Sequence, residues 1–384
     1  MRVFILAGEP SGDRLGGALM AGLQQLRPEV QFSGIGGPDM QAHGLISLFP
    51  MDELSVIGIA EVLPRYFHLR RRLDQVIAVV LDQKPDVLIT IDSPDFSLRV
   101  AKGVKAQSDI RTVHYVAPTV WAWRPKRAAK MAKMIDHVLA LFPFEPPYMQ
   151  VGEMACDFVG HPVVSDPVAT DEEVAEFRQT YDLGHAPILL VLPGSRKGEV
   201  SRLTPVFGAA LGPFLAAHPG WRVVVPAADP VSGLVHDAVA GWPEEPLIID
   251  PNNMTAEDAA KAKRASFAAA DLALTASGTV SLELAAVRTP MVIGYKVQWL
   301  TWQIVKNMFL IDTANLINLV SGTRVVPECI AEHCTPDKIG AALHAVLANP
   351  AEQTAAMDMT MQRLGRGGDA PGLRAAQAVL DRML

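Results

Sequence analysis

The sequence predicts an α/β protein built from two Rossmann-like domains facing a cleft. Three observations carry that expectation. Short apolar runs alternate with helix-period segments along the chain, in two successive series. Loops bearing glycine, proline and charged residues follow the strands, where open parallel sheets bind ligands. A chain of 384 residues is also long for one hydrophobic core. The expected boundaries are 1–165 and 166–345, with terminal helices over 346–384 that can pack back on the first domain.

Composition narrows the class. Hydrophobic residues make up 49% and charged residues 20%, the balance of a well-buried globular chain. A net charge of −7 gives no general attraction to nucleic acid, so an anionic partner must meet a local basic patch. Cys156, Cys329 and Cys334 form neither a metal spacing nor an even disulfide framework, and read as reduced cytosolic thiols. The apolar start at 3–7 is short for a secretory signal, and no apolar stretch reads as long enough to span a bilayer. The expectation is a soluble, cytosolic protein.

In the first series, 3–7 is a strand running into Gly8-Glu9-Pro10-Ser11-Gly12-Asp13, and 15–26 is a helix. Glycines at 8, 12, 16 and 17 do not match the dinucleotide fingerprint GxGxxG. The loop suits either a close backbone approach to a ligand or a structural turn. A second strand is expected at 32–35. Residues 56–73 then combine an apolar helical stripe (Val56, Ile59, Leu63, Phe67) with Arg65, Arg70, Arg71 and Arg72, and Pro64 is expected to break the segment. An apolar face rimmed by arginines fits an anionic membrane surface; burial against the sheet with a solvated basic end fits the same letters. Strand 87–91 ends in Asp92-Ser93-Pro94-Asp95, which places carboxylates at the ligand-binding end of a parallel strand; a helix N-cap with a solvated neighbour fits the two aspartates as well. Strand 111–115 leads into a segment crowding His114, Trp121, Trp123, Arg124, Lys126 and Arg127, suited to a sugar or phosphate pocket or to pinning a loop on the core. Strands at 138–141 and 157–159 close this half.

The second series opens after Gly160-His161-Pro162 and a polar helix at 171–181. Strand 188–192 runs into Pro193-Gly194-Ser195-Arg196-Lys197-Gly198-Glu199, where Arg196 and Lys197 read as phosphate ligands; surface solvation reads the same letters and fits Lys197 better than Arg196. A helix at 203–217, strands at 222–225 and 247–249 and a helix at 256–270 follow. The chain is organised around 271–296, a buried strand at 272–275, a small-residue turn, a helix at 280–287 and a strand at 291–294. With Ser277 as helix cap, the amides of Gly278, Thr279 and Val280 have no intrahelical partner and can hold a diphosphate. Glu283, one turn in, could accept hydrogen bonds from a ribose diol; an ordinary strand–turn–helix with a solvated Glu283 reads the same way. Helices at 336–347, 351–364 and 371–384 end the chain.

Taken in order, AGEPSGD at 7–13, IDSPDF at 91–96, HYVAPTVWAWRPKR at 114–127, GHP at 160–162, LPGSR at 192–196 and ASGTVSLE at 276–283 resemble the lipid-A-disaccharide synthase family, glycosyltransferases of the GT-B fold. The resemblance spans nearly the whole chain. It implies transfer of diacylglucosamine from UDP-2,3-diacylglucosamine to 2,3-diacylglucosamine 1-phosphate, giving a β-1,6 disaccharide and UDP, by a peripheral enzyme on the inner face of the bacterial inner membrane. By the same resemblance Asp92 is the general base, with Asp95 in reserve. Arg196, Ser277, Gly278, Thr279, Glu283 and Asn318 handle the donor. The acceptor is expected at Gly8, Ser11, Gly12, Asp13, His114, Trp121, Trp123 and Arg124. Ala117 and Thr119 depart from the HYVSPSVWAW of many members.

The chemistry needs a base for the acceptor hydroxyl and donors for the departing diphosphate, and Asp92-x-x-Asp95 lacks the DxD of metal-using glycosyltransferases, so neither metal nor cofactor is expected. Three rivals stay open: a UDP-N-acetylglucosamine 2-epimerase on the same architecture, a membrane-docked nucleotide-sugar binder without catalysis, and a nicotinamide dehydrogenase. A homodimer is compatible with the sequence.

Overall fold

The computed structural model describes residues 1–54, 59–297, 308 and 310–383. Contacts divide them into two compact units, Met1–Ser165 with Leu364–Leu384, and Asp166–Arg363.

The first unit holds six strands: β1 Arg2–Ala7, β2 Gln31–Ile35, β3 Val87–Ile91, β4 Arg111–Tyr115, β5 His137–Ala140 and β6 Ala155–Phe158. All pairings are parallel, in the order β2-β1-β3-β4-β5-β6. Helices cover both faces, so β3 is buried at every residue and reads VLITI without alternation. Helix Pro10–Leu26 begins earlier than expected. Pro10 occupies its first turn, where a missing N–H costs nothing, so most of the anticipated loop is helix. Helix Ile59–Gln83 is continuous through Pro64, contrary to the expected break; a proline near a helix start forfeits a single main-chain bond. The C-terminal helix Pro371–Asp381 packs on Pro10–Leu26 at a glycine crossing, where a Cβ on Gly22 would lie 2.7 Å from the Gly372 carbonyl oxygen.

The second unit holds β7 Ile188–Leu192, β8 Arg222–Pro226, β9 Leu247–Ile249, β10 Leu272–Thr275, β11 Met291–Tyr295 and β12 Glu328–Ile330. They form a second all-parallel sheet in the order β12-β11-β10-β7-β8-β9. Both units are therefore Rossmann-like, with different strand orders. Helix Lys197–Ala217 has the length and composition of a membrane span, which corrects the sequence expectation. Half of its apolar window is buried, and Val200, Leu203, Phe207, Leu211 and Phe214 belong to the core over β7, β8 and β11. Helix Ala351–Arg363 stays in this unit through contacts with helices Val280–Ala286 and Leu316–Ser321.

Candidate functional site

In an open parallel sheet the ligand crevice lies past the carboxyl ends of the strands where the chain's direction of winding reverses. In the second unit that point falls between β7 and β10, whose last residues Leu192 and Thr275 are register partners. The loops that follow them line a cavity of about 650 Å³, together with residues after β8 and β9 and one face of helix Ala256–Ala269. Arg196, Ser277, Gly278, Thr279 and Glu283, anticipated as donor ligands, all line it.

Local chemistry shapes each wall. Gly194 has φ +113°, and a Cβ there would meet the Glu199 side chain at 2.6 Å, so the loop after β7 requires glycine. Glu199 reaches back to accept the Ser195 amide at 3.3 Å, and Arg196, its side chain 72% exposed, stands 3.4 Å from the same carboxylate. After β10, Gly278 takes φ +149° with open space around it. This turn makes Thr279, not Ser277, the residue preceding helix Val280–Ala286, and no side chain caps it. The amides of Gly278, Thr279 and Val280 have no hydrogen-bond partner among the described residues. Glu283 is held by Lys263 Nζ at 2.6 Å, and that ammonium lies 5.3 Å from the Phe267 ring centre. Lys263, Phe267, Ala259 and Ala260 were not singled out from sequence; their i, i+3 and i+4 spacing was the available signal.

In the first unit the winding reverses between β1 and β3, and Ala7 and Ile91 are the paired last residues. Gly8 and Asp92 therefore stand side by side at the carboxyl edge. Asp92 has φ +46° and Ser93 φ +42°, two successive non-glycine residues in the left-handed region, each costing roughly 1–2 kcal/mol. The turn persists because the Asp92 amide donates to Tyr115 O at 3.0 Å and its carbonyl accepts from Ser97 Oγ at 2.7 Å. A Cβ on Gly8 would lie 2.8 Å from Ser93 Oγ, so glycine is required there. Burial raises the Asp92 carboxyl above the ordinary value of 3.8, against a smaller lowering by the Ser93 amide. Asp95, in the first turn of helix Pro94–Lys105, is exposed. Ser11 and Arg124 are exposed and Trp123 is half-buried, with the Arg124 guanidinium 4.2 Å over the Trp123 ring.

The side chains of four anticipated ligands are buried and hydrogen-bonded within their own units. Asp13 is buried, and its carboxylate accepts the amides of Gly37, Asp39 and Met40 at 2.7, 2.9 and 3.1 Å, tying helix Pro10–Leu26 to helix Pro38–Ala42. His114 is a core residue of β4, hydrogen-bonded to Thr90 Oγ1 at 2.8 Å; burial, with the Arg127 charge, lowers its pKa to about 3 and keeps it neutral. Trp121 is buried with its indole N–H donated to Glu145 at 3.3 Å. Asn318 is buried and engaged with Val326, donating to its carbonyl at 2.9 Å and accepting from its amide at 3.0 Å. It does not line the cavity. Gly12 is buried in the first helical turn.

On helix Ile59–Gln83, Phe67 is 82% exposed and in edge contact with the exposed Tyr66, and Arg70 and Arg71 face solvent beside them. Arg72 turns the other way, to Glu53 at 2.7 Å and over the Phe49 ring at 4.4 Å. Val56, and the side chains of Ile59, Leu63 and Arg65, lie outside the described residues.

Comparison with known proteins agrees with this frame. A family model described as lipid-A-disaccharide synthetase matches residues 3–380. The lipid-A-disaccharide synthase of Ruegeria pomeroyi is 66% identical over 383 residues, covering 100% of this chain and 96% of the relative. That of Rhodospirillum centenum is 44% identical, covering 99% and 94%. Among solved structures, a UDP-N-acetylglucosamine 2-epimerase from Neisseria meningitidis bound to its nucleotide sugar superposes with a TM-score of 0.67 at 11% identity, covering 100% of this chain and 99% of that one. MurG from Acinetobacter baumannii gives 0.53 at 16%, with the same coverage. At such identities the structural likeness establishes the GT-B fold, and the epimerase reading gains nothing further from it. The chain belongs to the lipid-A-disaccharide synthase family, glycosyltransferases that join UDP-diacylglucosamine to diacylglucosamine 1-phosphate in lipid A biosynthesis.

Proposed function

We propose that, in this reaction, the second-unit cavity takes the UDP moiety of the donor and Asp92 of the first unit takes the proton of the acceptor hydroxyl. The observation that carries the donor half is the turn at 278–280. Its three unpartnered amides share a 650 Å³ cavity with Arg196 and Glu283, at the ligand position of the sheet. The acceptor's 6-hydroxyl attacks C1 of the donor sugar, its proton passes to Asp92, and the C1–oxygen bond to UDP breaks with inversion. Charge builds on the leaving diphosphate, where preorganised amides and Arg196 stabilise it more than they do the ground state. The raised pKa of Asp92 makes it a stronger base than an ordinary carboxylate. Strain at Asp92 and Ser93 supports a role beyond folding, since an unstrained turn would be the cheaper structural solution.

The exposed Tyr66–Phe67 pair with Arg70 and Arg71 supports peripheral docking on the anionic inner face of the inner membrane, where both lipid substrates reside. The test of the catalytic assignment is Asp92→Asn, assayed with UDP-diacylglucosamine and the monosaccharide phosphate. Turnover should fall by roughly 10²–10⁴-fold with UDP affinity unchanged. The acid limb of the unmodified enzyme's kcat/KM profile should lie above pH 3.8 and vanish from the variant's residual rate. Near-normal turnover in Asp92→Asn removes the assignment.

A further inference from the structure

We infer that Lys263 is the positioning residue that sets Glu283 for a ribose diol, and so makes the cavity a ribonucleotide site. The inference rests on the reading of this cavity as the UDP site. Lys263 projects from helix Ala256–Ala269 with Ala259 and Ala260 one turn before it and Phe267 one turn after, and all four line the cavity. The alanines leave the wall open at that level, while the Phe267 ring lies 5.3 Å from the ammonium. The ammonium then donates to Glu283 Oε2 at 2.6 Å.

The pairing answers an electrostatic problem. A carboxylate in a cavity that receives a diphosphate meets like charge, and two such anions in partly desolvated space repel strongly. Lys263 offsets the Glu283 charge on one oxygen and leaves the other as an acceptor. A vicinal diol presents two hydroxyl donors to a single carboxylate, a fit that a nucleotide with one of those hydroxyls missing cannot make. The pair is half-exposed, with side-chain accessibilities of 48% and 39%, so it adds little to folding stability. Its geometry is better explained by what it presents to a ligand.

Titration of the full-length protein with UDP and 2′-deoxy-UDP, and with uridine by competition against UDP, tests this. The unmodified chain should prefer UDP over 2′-deoxy-UDP by about ten- to hundredfold, the worth of one hydrogen bond to a charged group. Lys263→Met should cut that preference below about threefold and weaken UDP and uridine by the same factor, since the loss lies at the sugar. Lys263→Arg should restore part of the preference. A loss in Lys263→Met confined to UDP, with uridine unaffected, overturns the inference and makes Lys263 a phosphate ligand. Equal binding of UDP and 2′-deoxy-UDP by the unmodified chain also overturns it while the UDP reading stands. Failure of UDP to bind at all removes that reading, and the inference with it.

Discussion

Glu145 offers a sharp test of how the first unit is held together. It is a 2% exposed carboxyl beside Trp121, Phe142 and Phe144, accepting the Trp121 indole at 3.3 Å and the Phe142 amide at 3.0 Å. Burial pushes its pKa up from 4.5 to about 7, outweighing the lowering by those donors. The folded chain thus holds the proton more tightly than the unfolded chain does. The stabilisation this confers is complete below about pH 4.5 and is lost as pH rises through about 7. At roughly 1.4 kcal/mol for each pH unit, the interval from 4.5 to about 7 amounts to about 3 kcal/mol. Glu145→Gln cannot ionise, so urea unfolding of the two proteins across this range should give a difference that moves by about 3 kcal/mol in favour of the variant. The transition to follow is that of the first unit, which carries Trp121 and Trp123. Any constant cost of turning an amide N–H toward one donor cancels in the slope. His161, whose pKa burial lowers to about 4, titrates alike in both proteins and cancels too. Parallel stability curves would refute the argument and place Glu145 in contact with water.

Four further outcomes follow from these assignments. Arg196→Ala should lower kcat/KM more than UDP affinity, and EDTA should leave turnover intact; activity lost to chelation and restored by magnesium would overturn leaving-group stabilisation by amides and Arg196. Gly22→Ala should cost about 1–3 kcal/mol by forcing helix Pro371–Asp381 off helix Pro10–Leu26, read as a drop in thermal midpoint. Phe67→Ser combined with Arg70→Ser and Arg71→Ser should weaken sedimentation with vesicles containing anionic lipid while leaving UDP affinity unchanged; equal co-sedimentation would reject the docking face.

The sheets were legible where burial is two-sided. The central strands β3, β4, β7 and β10 match the expected bounds to the residue, because such a strand is a short, almost continuously buried run, and the edge strand β9 matches as well. Strand β12 escaped notice because Glu-Cys-Ile has no such contrast. Helix starts were misread where proline and glycine carry two meanings. Pro10 and Gly12 read as loop punctuation but fit a first helical turn; helix Val280–Ala286 starts at 280 as expected, but the turn at Gly278 puts Thr279 rather than Ser277 before it. Site residues divide on the same physical line. Arg196, Gly278 and Glu283 sit beside strand ends, so their placement follows from the strand. Asp13 and Asn318 look like ligands by letter, yet their polar atoms serve main chain that only tertiary structure brings near. Lys263 lay hidden for the opposite reason: its partner Glu283 follows twenty positions later, across a strand and a turn.

If the second-unit cavity takes UDP as proposed, its charges leave the diphosphate to main-chain groups. Among the described lining residues, Arg196 and Lys263 are the cations, set against the carboxylates of Glu199, Asp229 and Glu283. Each cation already faces a carboxylate, at 3.4 Å for Arg196 and 2.6 Å for Lys263. Side chains alone therefore give this cavity no excess positive charge, in a chain whose net charge is −7. What remains to attract a diphosphate is the group of amides at 278–280, fixed donors whose partial charges need no counter-ion and no reorganisation when charge builds on the leaving oxygen. Arg196, the more exposed of the two cations, holds Glu199 at 3.4 Å, more loosely than Lys263 holds Glu283 at 2.6 Å, and Glu199 keeps the Ser195 amide when Arg196 turns to a phosphate. Lys263 cannot do so without freeing Glu283 to repel the same phosphate. On the proposed reading of this cavity as the UDP site, that difference assigns Arg196 to the diphosphate and Lys263 to the sugar.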